Sequence, residues 1–213
     1  RIVAVNREAL HSAGMLAPQQ EERRIGHEYR QIKRPLVANA LGRGVAPVNN
    51  GRLIMVASAL PGDGKTFTSV NLAMSIALEK DVHTLLVDAD VAKPHISRLF
   101  GLESRQGLLD LLRDDKLDAE SVIVPTDVPG LSILPAGRHS ETATELLASA
   151  RMQSLAARLT ADTERIVLFD SPPLLLTTES RVLASIVGQV VIVVGAGSTP
   201  QKAVLDAVDL VGE

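Results

Sequence analysis

Three short stretches hold most of the residues in this chain whose types and spacing could do chemistry. The first is Ala59-Leu60-Pro61-Gly62-Asp63-Gly64-Lys65-Thr66, set between the apolar run "LIMVAS" and the helix-like run "TSVNLAMSIALEK". A lysine in the first turn of a helix opposes the positive end of the helix dipole, so its presence there calls for an anion. Gly62 and Gly64 can take backbone angles that other residues resist. They let successive N–H groups turn inward and cradle an anion at a helix N-terminus. The spacing is that of G-x-x-x-x-G-K-[ST], with Ala59 at the first glycine. Pro61, Gly62, Asp63, Gly64, Lys65, Thr66 and Phe67 are therefore expected to bind a nucleoside triphosphate. Lys65 would reach the β- and γ-phosphates, and Thr66 would offer its hydroxyl to Mg²⁺.

The second stretch is "HTLLVDADVAKP". Asp88 ends an apolar run and Asp90 follows two residues later. Carboxylates at the carboxyl edge of a parallel sheet face the crevice where ligands bind. One of the pair could hold Mg²⁺ or its water, and the other could accept a proton from an attacking hydroxyl. The residues do not say which. The third stretch is "RIVLFDSPPLL", in which four apolar residues lead to Asp170, the Walker B pattern of a Mg²⁺ aspartate. Pro172 and Pro173 would stiffen the loop that follows.

Mg²⁺ prefers oxygen ligands and keeps several waters. Thr66, Asp88 and Asp170 are the candidate ligands; Lys65, Asp88 and Asp90 are the candidate catalytic residues. Each stretch also has a plain reading: a glycine-rich turn with an exposed lysine, a capping aspartate, an apolar strand with one terminal acid. Their order along the chain, each at a strand end, weighs against those readings. His95 reads as surface or structural. Ser58 could support the loop from below, and Gly137, Arg138 and His139 could face the same crevice.

The elements that must position these residues follow from periodicity. Strands are predicted at 53–58, 84–88, 131–134, 166–170 and 190–194. Helices are predicted near 65–79, 106–113, 141–160, 179–186 and 200–211. Strands alternating with helices predict a mostly parallel sheet covered by helices on both faces, an α/β P-loop NTPase fold. The nearly continuous apolar strands fit burial on both sides. Residues 51–213 would form this P-loop domain. Residues 1–50 would form a helical extension, an interaction segment or a helix packed on the domain. There, Ile25, Tyr29, Ile32, Leu36 and Ala40 follow helical spacing, and Pro35 predicts a kink or restart. Tyr29, the one tyrosine, reads as a packing residue rather than a phosphorylation site. Residues 42–51 read as a loop.

Composition narrows the class. With 46% hydrophobic but only 2% aromatic residues, the core must be aliphatic. The balance of 22 basic against 25 acidic residues argues against a general nucleic-acid binder. No cysteine is present, which excludes disulfides, thiol catalysis and cysteine metal sites. A reducing, cytoplasmic setting is the simplest expectation. No apolar run approaches the roughly 18 residues that span a bilayer. The chain begins at Arg1 rather than Met and stops at Glu213 inside a helix-like pattern, so native residues are expected on either side.

In order, "SALPGDGKT", "LLVDADVAKP" and "VLFDSPP" resemble the bacterial tyrosine kinases of polysaccharide export, P-loop proteins unrelated to eukaryotic protein kinases. "EYRQIKRPLVANALG", with "AGMLAP" at 13–18, looks like the exosortase-associated tyrosine autokinases of exopolysaccharide clusters. The resemblance implies an ATP- and Mg²⁺-dependent enzyme that phosphorylates tyrosines, mainly in its own tyrosine-rich tail. It also implies docking to a membrane-anchored chain-length regulator, and so a cytoplasmic protein peripheral at the inner membrane. Three departures stand out. The family's D-x-D-x-R motif has Ala92 at one candidate basic position, with Lys93 as the substitute. No tyrosine-rich tail lies within these residues. The family's E-x-x-R-x-x-R helix motif for ring assembly finds Arg30 and Lys33 at its basic positions, but His27 where Glu belongs and Glu28 one residue away.

Partitioning and cell-division ATPases of the MinD/ParA type share the fold and the aspartates. Their K-G-G-x-G-K-T loop carries an extra lysine for the partner subunit's phosphates, and Leu60 occupies that position here. A third reading is a nucleotide-gated scaffold without transfer.

Overall fold

The computed structural model describes residues 2–16, 21–44 and 46–212. Along the chain come α1 (Arg7–Ser12), α2 (Glu22–Ala40), β1 (Leu53–Ser58), α3 (Lys65–Ile76), β2 (His83–Asp88), α4 (His95–Leu99), α5 (Leu108–Arg113) and α6 (Ala119–Val122). Then follow β3 (Val124–Pro125), β4 (Leu131–Leu134), α7 (Ala143–Leu147), α8 (Ala150–Leu159), β5 (Arg165–Asp170), α9 (Thr178–Ile186), β6 (Gln189–Val193) and α10 (Gln201–Gly212). The strands form one sheet in the order β3-β4-β2-β5-β1-β6. All neighbours are parallel except the short edge strand β3, which runs antiparallel to β4.

Alternation along the strands divides the core into two layers. Met55, Val87, Val167 and Phe169 face one cluster, with Leu112, Leu155 and Leu183 from α5, α8 and α9. Ile54, Val56, Leu86 and Leu168 face the other, with Val70, Ala73 and Ile76 of α3. Tyr29 and Val37 of α2 and Leu10 of α1 join this second layer. The first residues also reach the sheet edge: Val3 N–H donates to the Pro125 carbonyl at 2.9 Å, and the Val3 carbonyl accepts from Asp127 N–H at 3.0 Å.

Every predicted strand is present to within a residue. The helix predicted over 141–160 is two helices. Ser149 lies between them in extended backbone, and its hydroxyl donates to the Leu146 carbonyl at 2.6 Å. That bond takes a carbonyl at the end of α7 and helps the chain turn there. The short α1, α4, α6 and β3 are not predicted, because two to six residues carry too little period to read.

Helix α2 runs through Pro35 without a restart. The Gln31 carbonyl that loses its N–H partner lies on the exposed side, where water can satisfy it. The stripe that α2 buries also differs from expectation. Ile32 is exposed, and Lys33 is buried instead. Lys33 Nζ donates to the Ser75 carbonyl at 2.6 Å and pairs with Glu79 at 2.7 Å, so its charge is satisfied at the end of α3. Tyr29 is buried as a packing residue, and that burial pushes its hydroxyl pKa up. Ala17 and Pro18 of the "AGMLAP" stretch, and the neighbouring Gln19 and Gln20, lie outside the described residues.

Candidate active site

The site forms where β1, β2 and β5 end side by side. Past Ser58 the chain turns through Gly62 (φ 86°) and Gly64 (φ 95°) before entering α3 at Lys65. A Cβ at either glycine would meet nothing within 4 Å, so glycine is required there for backbone angle rather than for space. Lys65 is buried and folds back toward the strand end, donating from Nζ to Ser58 Oγ at 2.9 Å. Ser58 in turn donates to the Leu60 carbonyl at 2.6 Å. Burial lowers the Lys65 pKa, and Asp170, Asp90 and Asp63 pull it back up. An ammonium held in this way, short of strong partners, is poised for an incoming anion.

Asp170 and Asp88 occupy paired positions on β5 and β2. Both are almost fully enclosed, at 1% and 0% exposure. Thr66 Oγ1 and Ser69 Oγ donate to the two oxygens of Asp170 at 2.9 and 2.8 Å. Ser97 donates both its N–H and its hydroxyl to Asp88 Oδ2, each at 2.7 Å, while Asp88 Oδ1 is buried without a partner. Burial is the main cause that raises Asp88 to about 7 and Asp170 to about 6. The hydroxyl donors oppose that rise, and the neighbouring carboxylates add to it.

Asp90 is half-buried, and burial is again the main cause that raises its pKa. It lines a cavity of about 430 Å³ with Gly62, Gly64, Lys65 and Thr66. Its apolar lining includes Val91, Pro172, Pro173 and Leu176. Phe67, Lys93 and His95 also line it. Leu176 is exposed, yet its loop is pinned to the phosphate-loop strand by Leu174 N–H to the Ser58 carbonyl at 2.9 Å.

Of the residues singled out in the sequence, Pro61, Gly62, Gly64, Lys65, Thr66, Phe67 and Asp90 line this cavity. Asp88 and Asp170 are enclosed and do not line it. Asp63 turns aside to accept a hydrogen bond from Thr199 at 2.6 Å. Gly137, Arg138 and His139 do not reach the cavity. Arg138 N–H and Gly107 N–H both donate to Asp110 Oδ2 at 3.0 Å, which fastens that loop to α5. Ser69, Ser97 and Thr199 hold site carboxylates and were not singled out, because an isolated hydroxyl carries no spacing signal.

The donor set fits Mg²⁺ held together with a nucleotide. Among the described residues no three His, Asp or Glu side chains close into a metal cage. Mg²⁺ does not need one, since it commonly takes one or two carboxylates plus phosphate and water. The orphaned Asp88 oxygen beside Asp170 is the acceptor a cation or its water would satisfy.

The family model described as ParA, NUBPL iron-transfer P-loop NTPase, matches residues 49–210. The Bacillus subtilis tyrosine-protein kinase YwqD is 33% identical over 149 residues, 70% of this chain and 62% of that protein. The Acinetobacter johnsonii tyrosine-protein kinase ptk is 30% identical over 150 residues, 70% of this chain but 20% of that protein. This chain therefore spans less than two thirds of either relative's length. The crystal structure of the VpsO kinase domain superposes with a TM-score of 0.71 at 30% identity, covering 92% of this chain and 93% of that domain.

Proposed function

The chain belongs to the bacterial tyrosine kinases, ParA-type P-loop proteins, and from that premise we propose that it transfers the γ-phosphoryl group of ATP to tyrosine hydroxyls. The observation that carries this reading is that Asp90, Lys65 and Thr66 line one cavity of about 430 Å³ together with the apolar Val91, Pro172, Pro173 and Leu176. The amides of the 61–66 turn and Lys65 hold and neutralise the β- and γ-phosphates. Thr66, with Asp170 and Asp88, would hold Mg²⁺, which when bound neutralises charge developing between these phosphates. The acceptor ring lies along Pro172, Pro173 and Leu176 with its hydroxyl toward Asp90. The phenolic oxygen bonds to the γ-phosphorus, the bond to the ADP oxygen breaks, and Asp90 takes the phenolic proton. The raised pKa of Asp90 makes it a better proton acceptor than an exposed carboxylate. Asp88 is less suited to that role, since it is enclosed and held by Ser97. Most of the rate gain comes from positioning and charge stabilisation.

The ATPase alternative loses support at Leu60. Its side chain packs against the core cluster rather than reaching outward, and it has no charge to offer a partner's phosphates. Tyrosines of the protein's own tail, beyond the residues present here, are the proposed substrates in exopolysaccharide synthesis. A membrane-anchored chain-length regulator is the proposed partner and would bring the protein to the inner membrane. Among the described residues no helix is long and apolar enough to cross a membrane.

The test is phosphotyrosine formation on a tyrosine-rich peptide with ATP and Mg²⁺. Lys65→Met should abolish tight nucleotide binding. Asp90→Asn should preserve binding and slow transfer by about 10²-fold or more. Full transfer by Asp90→Asn would remove Asp90 as the base, and no transfer by the parent chain would remove the kinase reading.

A further inference from the structure

An aspartate inside a loop meant for polyphosphate is an electrostatic contradiction, because like charges at short range repel strongly away from bulk water. Asp63 is such a residue, and its surroundings resolve the contradiction. Gly62, Gly64 and Lys65 on either side of it line the cavity, and Asp63 does not. Its Oδ1 accepts the Thr199 hydroxyl at 2.6 Å, a length typical of charge-assisted hydrogen bonds. Its Oδ2 faces the Leu60 N–H at 3.4 Å.

Thr199 is itself held for this task. Its N–H donates to the Gly195 carbonyl at 2.9 Å, and its hydroxyl oxygen accepts from Gly195 N–H at 3.0 Å. With that acceptor position used, the hydroxyl proton is free to point at Asp63. Gly195 leaves the room: a Cβ there would collide with Ser198 Oγ and press on Asp63 Oδ1 and Thr199 Oγ1 at 3.1 Å. The fold brings the two loops together, because β6 lies beside β1 with Val193 paired to Ser58, so both strands end at the same edge.

We propose that Thr199 is a positioning residue for nucleotide binding, which holds the Asp63 carboxylate outside the anion cup. This inference rests on the nucleotide-binding half of the reading above and not on tyrosine transfer. The test is the affinity of the chain for Mg·ADP, measured by calorimetry alongside thermal stability. Thr199→Val keeps the side-chain shape and removes the hydroxyl. It should weaken binding about fivefold, the scale of one lost hydrogen bond that had controlled a charge. Thr199→Ser should stay within about twofold of the parent, since it keeps the hydroxyl. In an Asp63→Asn background the Thr199→Val change should cost less than about twofold, because no carboxylate remains to be released. The loss in Thr199→Val should also shrink in about 0.5 M salt, where exposed charges are screened.

Unchanged Mg·ADP affinity in Thr199→Val would overturn the inference and leave the nucleotide site intact. An affinity loss that persists undiminished with Asp63→Asn would also overturn it, by showing that Thr199 acts through packing alone. A parent chain that binds no Mg·ADP would overturn both the inference and the nucleotide site.

Discussion

Replacing Asp88 with Asn should make the metal-free protein more stable at pH 8 and flatten its dependence on pH. Asp88 has no exposed surface, and only one of its oxygens has hydrogen-bond partners. Its pKa rises from 3.8 to about 7, chiefly through burial. The native state therefore holds the proton more tightly than the unfolded chain does. Stability falls as pH climbs from 3.8 through about 7 and levels off above that. A rise of about three pH units, at about 1.36 kcal/mol each, puts the loss at about 4 kcal/mol. Asparagine removes that loss. Its carbonyl can still accept both Ser97 donors, but its amide nitrogen then sits where Oδ1 had no partner, at a cost of about 1–3 kcal/mol. The net gain at pH 8 is about 1–3 kcal/mol, a rise in Tm of several degrees for a chain of this size. Near pH 4 the aspartate is itself protonated, and the advantage should vanish. Urea unfolding in EDTA at pH 4.5, 6 and 8 measures both effects. Parallel stability curves for the two proteins would refute the argument, since they would mean that Asp88 is not a buried, uncompensated acid. With Mg²⁺ and nucleotide added the order should reverse, because only the carboxylate gains from the cation.

Ser69→Ala removes one of the two hydroxyl donors to the enclosed Asp170, and should cost about 1–3 kcal/mol at pH 8. Asp170 titrates at about 6, so the cost should be smaller at pH 5. Equal costs at both pH values would mean that the Ser69 hydroxyl does not act on the carboxylate. Lys33→Ala should destabilise by about 2 kcal/mol, because it strips the buried contact between α2 and the end of α3. Arg30→Ala, on the exposed side of the same helix, should stay within about 0.5 kcal/mol. Similar losses from both in thermal unfolding would contradict the inward placement of Lys33.

What the residues determine by themselves is local. Short, nearly continuous apolar runs mark β1, β2, β4, β5 and β6, because a strand buried on both faces needs an apolar side chain at almost every position. Two glycines, a lysine and a threonine at fixed offsets mark the phosphate loop, because backbone angle and helix dipole depend on a few consecutive residues. The aspartates stand out because each ends an apolar strand. What only the tertiary structure decided is which distant groups meet. Ser97 reaches Asp88 across nine residues, Ser69 reaches Asp170 across 101, and Thr199 reaches Asp63 across 136. Strand order sets those meetings, by placing the ends of β1, β2, β5 and β6 along one edge. The same limit applies to α2, where spacing alone favours Ile32 as a buried position. The carbonyl of Ser75 and the carboxylate of Glu79 make Lys33 the better fit, because a buried ammonium is tolerated only where another element supplies its partners.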